Sequence, residues 1–342
     1  MGGICGEISK NNRLKHSEMH VFCPCSADKA EDMNQNLILK SSYDGLNISI
    51  LVVAPEEKPK AILQLAHGMC GYKERFIPLM NYLADNGVLC VASDHRGHGS
   101  SIKVEGDRGY MYSGGYNALV DDMKMVSDWA HQTNPELPLF LLGHSMGSLA
   151  ARVYVKKYDY EISGLILCGS PSRNVMSYPG YHLAHLVALF ADGRIRMQFI
   201  QKIVNRRYNK QFADEGPMAW LCSDQAVCRT FAETPQTNFT FTANASFALM
   251  SLFKETYSTR GWKVANPDMP VYFISGNDDP SMLNEPVFHD SVSYMTAVGY
   301  KDVSSALYSG MRHEVLNEIG KEAVWQDILN HIFLWIPGKG HA

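Results

Sequence analysis

From residue 60 onward the chain alternates short, nearly continuous apolar runs with longer stretches of helical periodicity, and that rhythm limits what it can fold into. A strand whose residues are almost all apolar has to be covered on both faces, which happens when helices cross between parallel strands. Strands are predicted over 61–66, 88–93, 139–142, 164–168, 271–275 and 304–308, and helices over 74–85, 116–131, 146–157, 286–298 and 321–335. Within the second helix Leu119, Met123, Val126 and Ala130 recur at helical spacing and supply one face to bury. Two more strand-like runs, 37–42 and 46–53, flank the turn Tyr43-Asp44-Gly45 and predict an antiparallel hairpin. The expected fold class is α/β, a mainly parallel sheet covered by helices on both faces.

The rhythm breaks between 171 and 266, where helical stretches follow one another with no strand of the parallel set. The expected organisation is therefore a loosely ordered extension over 1–35, a core over 36–170 and 267–342, and a helical insertion over 171–266. That insertion is rich in large apolar groups: residues 181–190, Phe199, Phe212, Trp220, Phe231, Phe239, Phe241, Phe247, Met250 and Phe253. Taken singly, such groups are more often core than ligand contact. Together they imply an apolar channel, with Phe239, Phe241, Phe247 and Met250 as candidate lining and an acyl chain as occupant.

Composition removes several function classes. The formal net charge of −4 comes from interspersed charges with no basic run, so nucleic acid is not an expected partner. Several of the eight cysteines, such as Cys90 and Cys168, lie inside apolar strand-like runs and read as buried free thiols of a reducing compartment. Cys23, Cys25, Cys222 and Cys228 lack partners at zinc-ligand spacing, so neither a metal nor another cofactor is expected. No apolar run approaches the ~20 residues of a bilayer span. The start, Met1-Gly-Gly-Ile-Cys5-Gly6, lacks a secretory signal and has glycine where a myristoylation site needs a hydroxyl. A cytoplasmic protein without a stable membrane anchor is the expectation.

The chemistry begins at Gly143-His-Ser145-Met-Gly147, a G-x-S-x-G turn between a buried strand and a helix rich in small residues. Such a turn lifts the serine hydroxyl above the sheet at the positive end of the helix. A serine hydroxyl is a poor nucleophile at neutral pH and needs a base, itself oriented by a buried acid. In this arrangement acid and histidine follow in loops beyond later strands. Asp278 and Asp279 both qualify as the acid, with Asp279 preferred, and His313 is the candidate base. An oxyanion would need two fixed N–H donors. Met146, next to the serine, is one candidate; the loop His67-Gly68-Met69-Cys70-Gly71 offers the other, with Met69 favoured over Gly68.

With these motifs in place, residues 37–336 resemble the monoglyceride lipase and lysophospholipase-like branch of the α/β-hydrolase superfamily. The His67-Gly68-Met69 loop, Asp94-His-Arg96-Gly97-His98-Gly99-Ser100, the Ser145 elbow, and the pair Gly276-Asn-Asp-Asp279 and Gly310-Met-Arg-His313-Glu carry the likeness. The resemblance implies the α/β-hydrolase fold with a helical cap at 171–266, and an acid three residues after the strand-end glycine, at Asp279. It also implies a donor at Met69 and a structural role for the loop holding Arg96 and His98. The activity implied is hydrolysis of a carboxylic ester through an acyl-serine, on a small-molecule substrate with a single acyl chain such as a monoacylglycerol or lysophospholipid. Two alternatives remain: an amide hydrolase of the proline-releasing aminopeptidase type, and a non-catalytic ligand-binding protein of the same fold.

Overall fold

A computed structural model of the chain describes residues 34–173, 187 and 193–336. Of the two units into which the chain divides, Met1–Glu31 lies outside the described residues, and the architecture below is that of Asp32–Ala342. The lipidation-like start, Cys5, Cys23, Cys25, and 181–190 apart from Val187 also lie outside them.

Eight strands form one sheet: β1 (Asn34–Lys40), β2 (Asn47–Val53), β3 (Ala61–Ala66), β4 (Val88–Ser93), β5 (Leu139–His144), β6 (Gly164–Cys168), β7 (Val271–Gly276) and β8 (Val303–Tyr308). Their order is β1-β2-β4-β3-β5-β6-β7-β8, with β1, β2 and β4 antiparallel to their neighbours in turn and β4 through β8 parallel. The central strands β3, β4, β5 and β6 are buried along their whole length, which is why their sequences are continuous apolar runs. The first strand begins three residues before the predicted start, inside the segment expected to be loose. Asn34, Gln35 and Asn36 lie exposed on the edge, so hydropathy carries no signal for them.

Among the described residues the helices are α1 (Ile77–Asp85), α2 (Gly115–Thr133), α3 (Met146–Tyr158), α4 (Gln198–Tyr208), α5 (Gln225–Glu233), α6 (Ala243–Thr256), α7 (Glu285–Val298) and α8 (Lys321–Leu334). One core lies between the sheet and α2, α3, α6 and α7, built on Leu119, Met123, Leu149, Leu252 and Met295. The other, beneath α1 and α8, is built on Leu79, Met80, Leu83, Trp325 and Ile328. The first predicted helix is split into a 3₁₀ turn, Lys73–Phe76, and α1. Pro78 explains the split, since proline fits an α-helix only in its first turn.

Between β6 and β7 come α4, α5 and α6. The last of these packs on α2 and α3, whereas α4 has no buried residue. Among the described residues no helix is long and apolar enough to cross a membrane. Because β3 is flanked by β4 on one side and β5 on the other, the chain diverges there, and the carboxyl ends of β3 and β5 frame a crevice.

Candidate active site

The crevice is occupied by the turn from β5 into α3. Ser145 stands at its apex with φ 52° and ψ −118°, a left-handed conformation that costs a side-chain-bearing residue about 1–3 kcal/mol. Neighbouring bonds hold it there. Ser145 N–H donates to Cys168 O at the end of β6 (2.9 Å), while Ser148 N–H donates back to Ser145 O (2.9 Å). Gly147 is required because a Cβ at that position would collide with the carbonyl oxygen of Ala66 on β3. Strand and helix can approach this closely only without a side chain.

His313 lies in the loop after β8, buried, with Nε2 2.9 Å from Ser145 Oγ and Nδ1 3.0 Å from Asp279 Oδ2. An ionised carboxylate only accepts, so Nδ1 carries the proton and Nε2 offers its lone pair to the serine hydroxyl. Asp279 caps the 3₁₀ turn Pro280–Met282 after β7: Ser281 N–H donates to Oδ1 (2.8 Å), and Ser281 Oγ (2.9 Å) and Ser275 Oγ (3.1 Å) donate to Oδ2. Burial alone would push the Asp279 carboxyl up, but the His313 ring and the Ser281 donors hold it below the usual carboxylate range. Burial likewise works against a charged His313, yet Asp279 and Glu314 keep the imidazole above its ordinary value. Asp278 faces away: it is exposed, and its carbonyl accepts from Gln211 Nε2 (3.2 Å).

The loop after β3 closes over the serine. A Cβ on Gly68 would stand 2.9 Å from Ser145 Cβ. Two donors converge on the Gly68 carbonyl, Gly71 N–H (3.0 Å) and His67 Nδ1 (2.8 Å), while His67 Nε2 accepts from His95 N–H (2.9 Å). This bracing sets the half-buried Met69 in a fixed turn beside Ser145. Met146 is the first residue of α3, so its N–H has no acceptor within the helix and adds to the positive end of the dipole.

The predicted lining residues separate. Phe239 and Phe241 stack on each other (6.2 Å between centroids) and both meet His98 edge-on (5.4 and 5.3 Å), and Cys70 Sγ donates to the Phe239 carbonyl, so this pair adjoins the loop beside Ser145. Phe247 and Met250 are half-buried on α6. Phe199 on α4 is 75% exposed. Arg96 is fully buried, donating to Asp122 Oδ2 (2.8 Å) and the Ser113 carbonyl (2.8 Å), so it ties the loop after β4 to α2 and the segment before it.

Three neighbours of His313 were not expected beside it from the sequence. Ser281 Oγ lies 3.1 Å from His313 Nδ1 as well as on Asp279. The Trp220 ring lies 5.0 Å from the His313 ring and 4.9 Å from Tyr208. Glu314 is buried against Arg75 (3.0 Å). Ser281 was within reach of sequence reasoning, since Asp-Pro-Ser after a strand is a capping pattern. Trp220 and Arg75 come from remote segments and leave no local signal.

Fold and site together define a member of the α/β-hydrolase superfamily. Residues 57–320 match the family described as serine aminopeptidase, S33 (Hydrolase_4), and the chain belongs to that family. A monoacylglycerol lipase of Mycolicibacterium smegmatis is 25% identical over 288 residues, covering 84% of this chain and 93% of that one. The monoglyceride lipase of Homo sapiens is 34% identical over a shorter stretch, 33% of this chain and 36% of the human one. Among solved structures, a thermostable carboxyl esterase from Bacillus coagulans superposes with a TM-score of 0.82 at 24% identity over 89% of this chain and 99% of that one. A monoglyceride lipase from Saccharomyces cerevisiae does so with a TM-score of 0.67 at 21% identity, covering 90% and 96%. At these identities the structural likeness establishes the fold.

Proposed function

We propose that the protein hydrolyses carboxylic esters through an acyl-serine intermediate, with Ser145 as nucleophile, His313 as general base and acid, and Asp279 as the orienting carboxylate. The observation that carries this reading is the continuous relay from Ser145 Oγ through both ring nitrogens of His313 to Asp279, at 2.9 and 3.0 Å. Attack on the ester carbonyl moves the serine proton to Nε2, and the oxyanion is held by the N–H groups of Met69 and Met146. His313 then protonates the leaving alcohol, and water repeats the sequence on the acyl-enzyme.

The substrate class we assign is a small ester with a single acyl chain, a monoacylglycerol or lysophospholipid. The likeness to monoacylglycerol lipases supports it, as does the Phe239–Phe241 pair against His98 and the loop that carries Met69. Part of the 171–266 insertion then acts as a cap above Ser145, while α6 packs on α2 and α3. The buried free thiols Cys70, Cys90, Cys168, Cys222 and Cys228 fit a reducing compartment such as the cytoplasm.

A series of p-nitrophenyl esters of graded chain length tests the reading. Turnover that is lost in Ser145→Ala and rises from acetyl to medium-chain esters is expected; absence of turnover with every ester defeats it. A second reading, release of amino-terminal residues from peptides, is favoured by the family description. Amino-acyl p-nitroanilides cleaved faster than any ester would establish it instead.

A further inference from the structure

The base loop carries a charged residue on each side of His313, and the two point in opposite directions. Arg312 turns towards the segment before α5: its Nη2 donates to both carboxylate oxygens of Glu215 (2.8 Å each), its guanidinium stacks on Phe212 (3.8 Å to the centroid) and its Nη1 donates to the Ala219 carbonyl (2.7 Å). Glu314 turns towards the serine side, buried, and accepts from Arg75 Nη1 (3.0 Å) and Asn317 Nδ2 (2.8 Å). Arg75 belongs to the 3₁₀ turn Lys73–Phe76, directly after the loop that braces Met69. Between the two loops stands His144, whose Nε2 donates to the His313 carbonyl (3.2 Å) and whose ring is 5.0 Å from the His313 ring. Arg75, Glu314, Asn317, His144, His67 and Gly68 all line one small cavity between the two loops.

We propose that Glu314, clamped by Arg75, is a positioning residue that locks the loop of the oxyanion donors to the loop of the base and sets a second negative charge behind His313. The proposal rests on the triad reading above. A carboxylate withdrawn this far from water is costly unless paired, and here its partner is the residue that continues the opposite loop. When His313 takes the serine proton it becomes a buried cation, and it is faced by Asp279 and Glu314, which favour that cation, and by Arg75, which opposes it. His144 faces it from β5 and is neutral, because burial pushes its imidazole down to about 4. Trp220 and Ser281 complete the surroundings without charge. Glu314 is itself held down to about 2, against the upward push of burial, chiefly by Arg75.

The test is the pH dependence of kcat/KM for one soluble ester in wild type, Glu314→Gln, Arg75→Met and the double variant, with Tm and the rate of fluorophosphonate labelling of Ser145 measured alongside. A wild type that neither labels nor turns over defeats the triad reading itself. With a working triad, the acid limb should move about one pH unit lower in Glu314→Gln and about as far upward in Arg75→Met, returning towards wild type in the double variant. Plateau kcat should fall roughly tenfold in all three with KM little changed, since the clamp touches the base and not the substrate. If either single variant fails to fold, the double variant decides, because it leaves neither charge buried alone: lowered kcat at an unshifted limb supports the clamp, and wild-type kcat overturns it. Limbs that stay in place, or move the same way in both single variants while activity tracks Tm, reduce Glu314 to a packing group and overturn the proposal.

Discussion

Asp278 and Asp279 differ by one position along the chain, yet one is exposed while the other is buried and receives donors from Ser275, Ser281 and His313. Replacing Asp279 with Asn should cost on the order of 10⁴ in kcat by releasing the histidine tautomer, whereas Asp278→Asn should stay within about twofold, as expected of an exposed side chain. Kinetics on one ester decide between them. Ser281→Ala removes a hydrogen bond to a charged acceptor, worth about 1.5–3 kcal/mol, and should lower kcat roughly ten- to a hundredfold. Ser145 and His313 were legible in the sequence because each sits in a short motif at a strand end. The choice between the aspartates was legible only as a register relative to Gly276. Contacts such as Trp220 on His313, or Arg75 on Glu314, join segments that nothing local connects.

At the scale of elements, the crossing of β3, β5 and α3 depends on a missing side chain. Gly147→Ala should destabilise the protein by more than about 4 kcal/mol or prevent folding, because the new methyl meets backbone that cannot move; a Tm near wild type would contradict this. The strands were legible to within a few residues because burial on both faces writes itself as continuous apolar sequence. The interval between β6 and β7 was not, because its apolar groups serve different ends. On α6 Ala245, Ala248 and Leu252 enter the core while Phe247 and Met250 stay half-buried, Phe212 and Trp220 pack on the loop of His313, and Phe199 stands exposed. Periodicity cannot separate these cases. If Phe239 and Phe241 contact the acyl chain, kcat/KM should grow about fourfold per added methylene up to a limit, following ~0.8 kcal/mol per buried CH₂. Phe241→Ala should flatten that slope, and a slope unchanged by the substitution would place the chain elsewhere.

The whole molecule carries a concealed sensitivity to acid. His67, His95, His98 and His144 are all buried, and burial pushes each imidazole down, to about 4 for His95 and His144 and about 3 for His98. Since the unfolded chain takes up these protons first, the stability involved is fully present above the ordinary histidine value of about 6.5 and is lost as pH falls towards the folded values, at up to about 1.4 kcal/mol per pH unit for each ring. The urea midpoint should therefore drop steeply between pH 7 and 5, and His98→Asn should make the drop shallower; equal slopes would contradict the assignment. This behaviour was not legible in the sequence, where nothing local marks a histidine as buried, and it emerges only when the loops after β3 and β4 converge on the end of β5. The same convergence underlies the central claim, that Ser145 is activated by His313. The most direct measurement is peptide mapping by mass spectrometry after fluorophosphonate treatment: one adduct on Ser145 in the wild type, abolished in His313→Ala with the fold retained, is the predicted result, and no adduct, or an adduct on another residue, would contradict it.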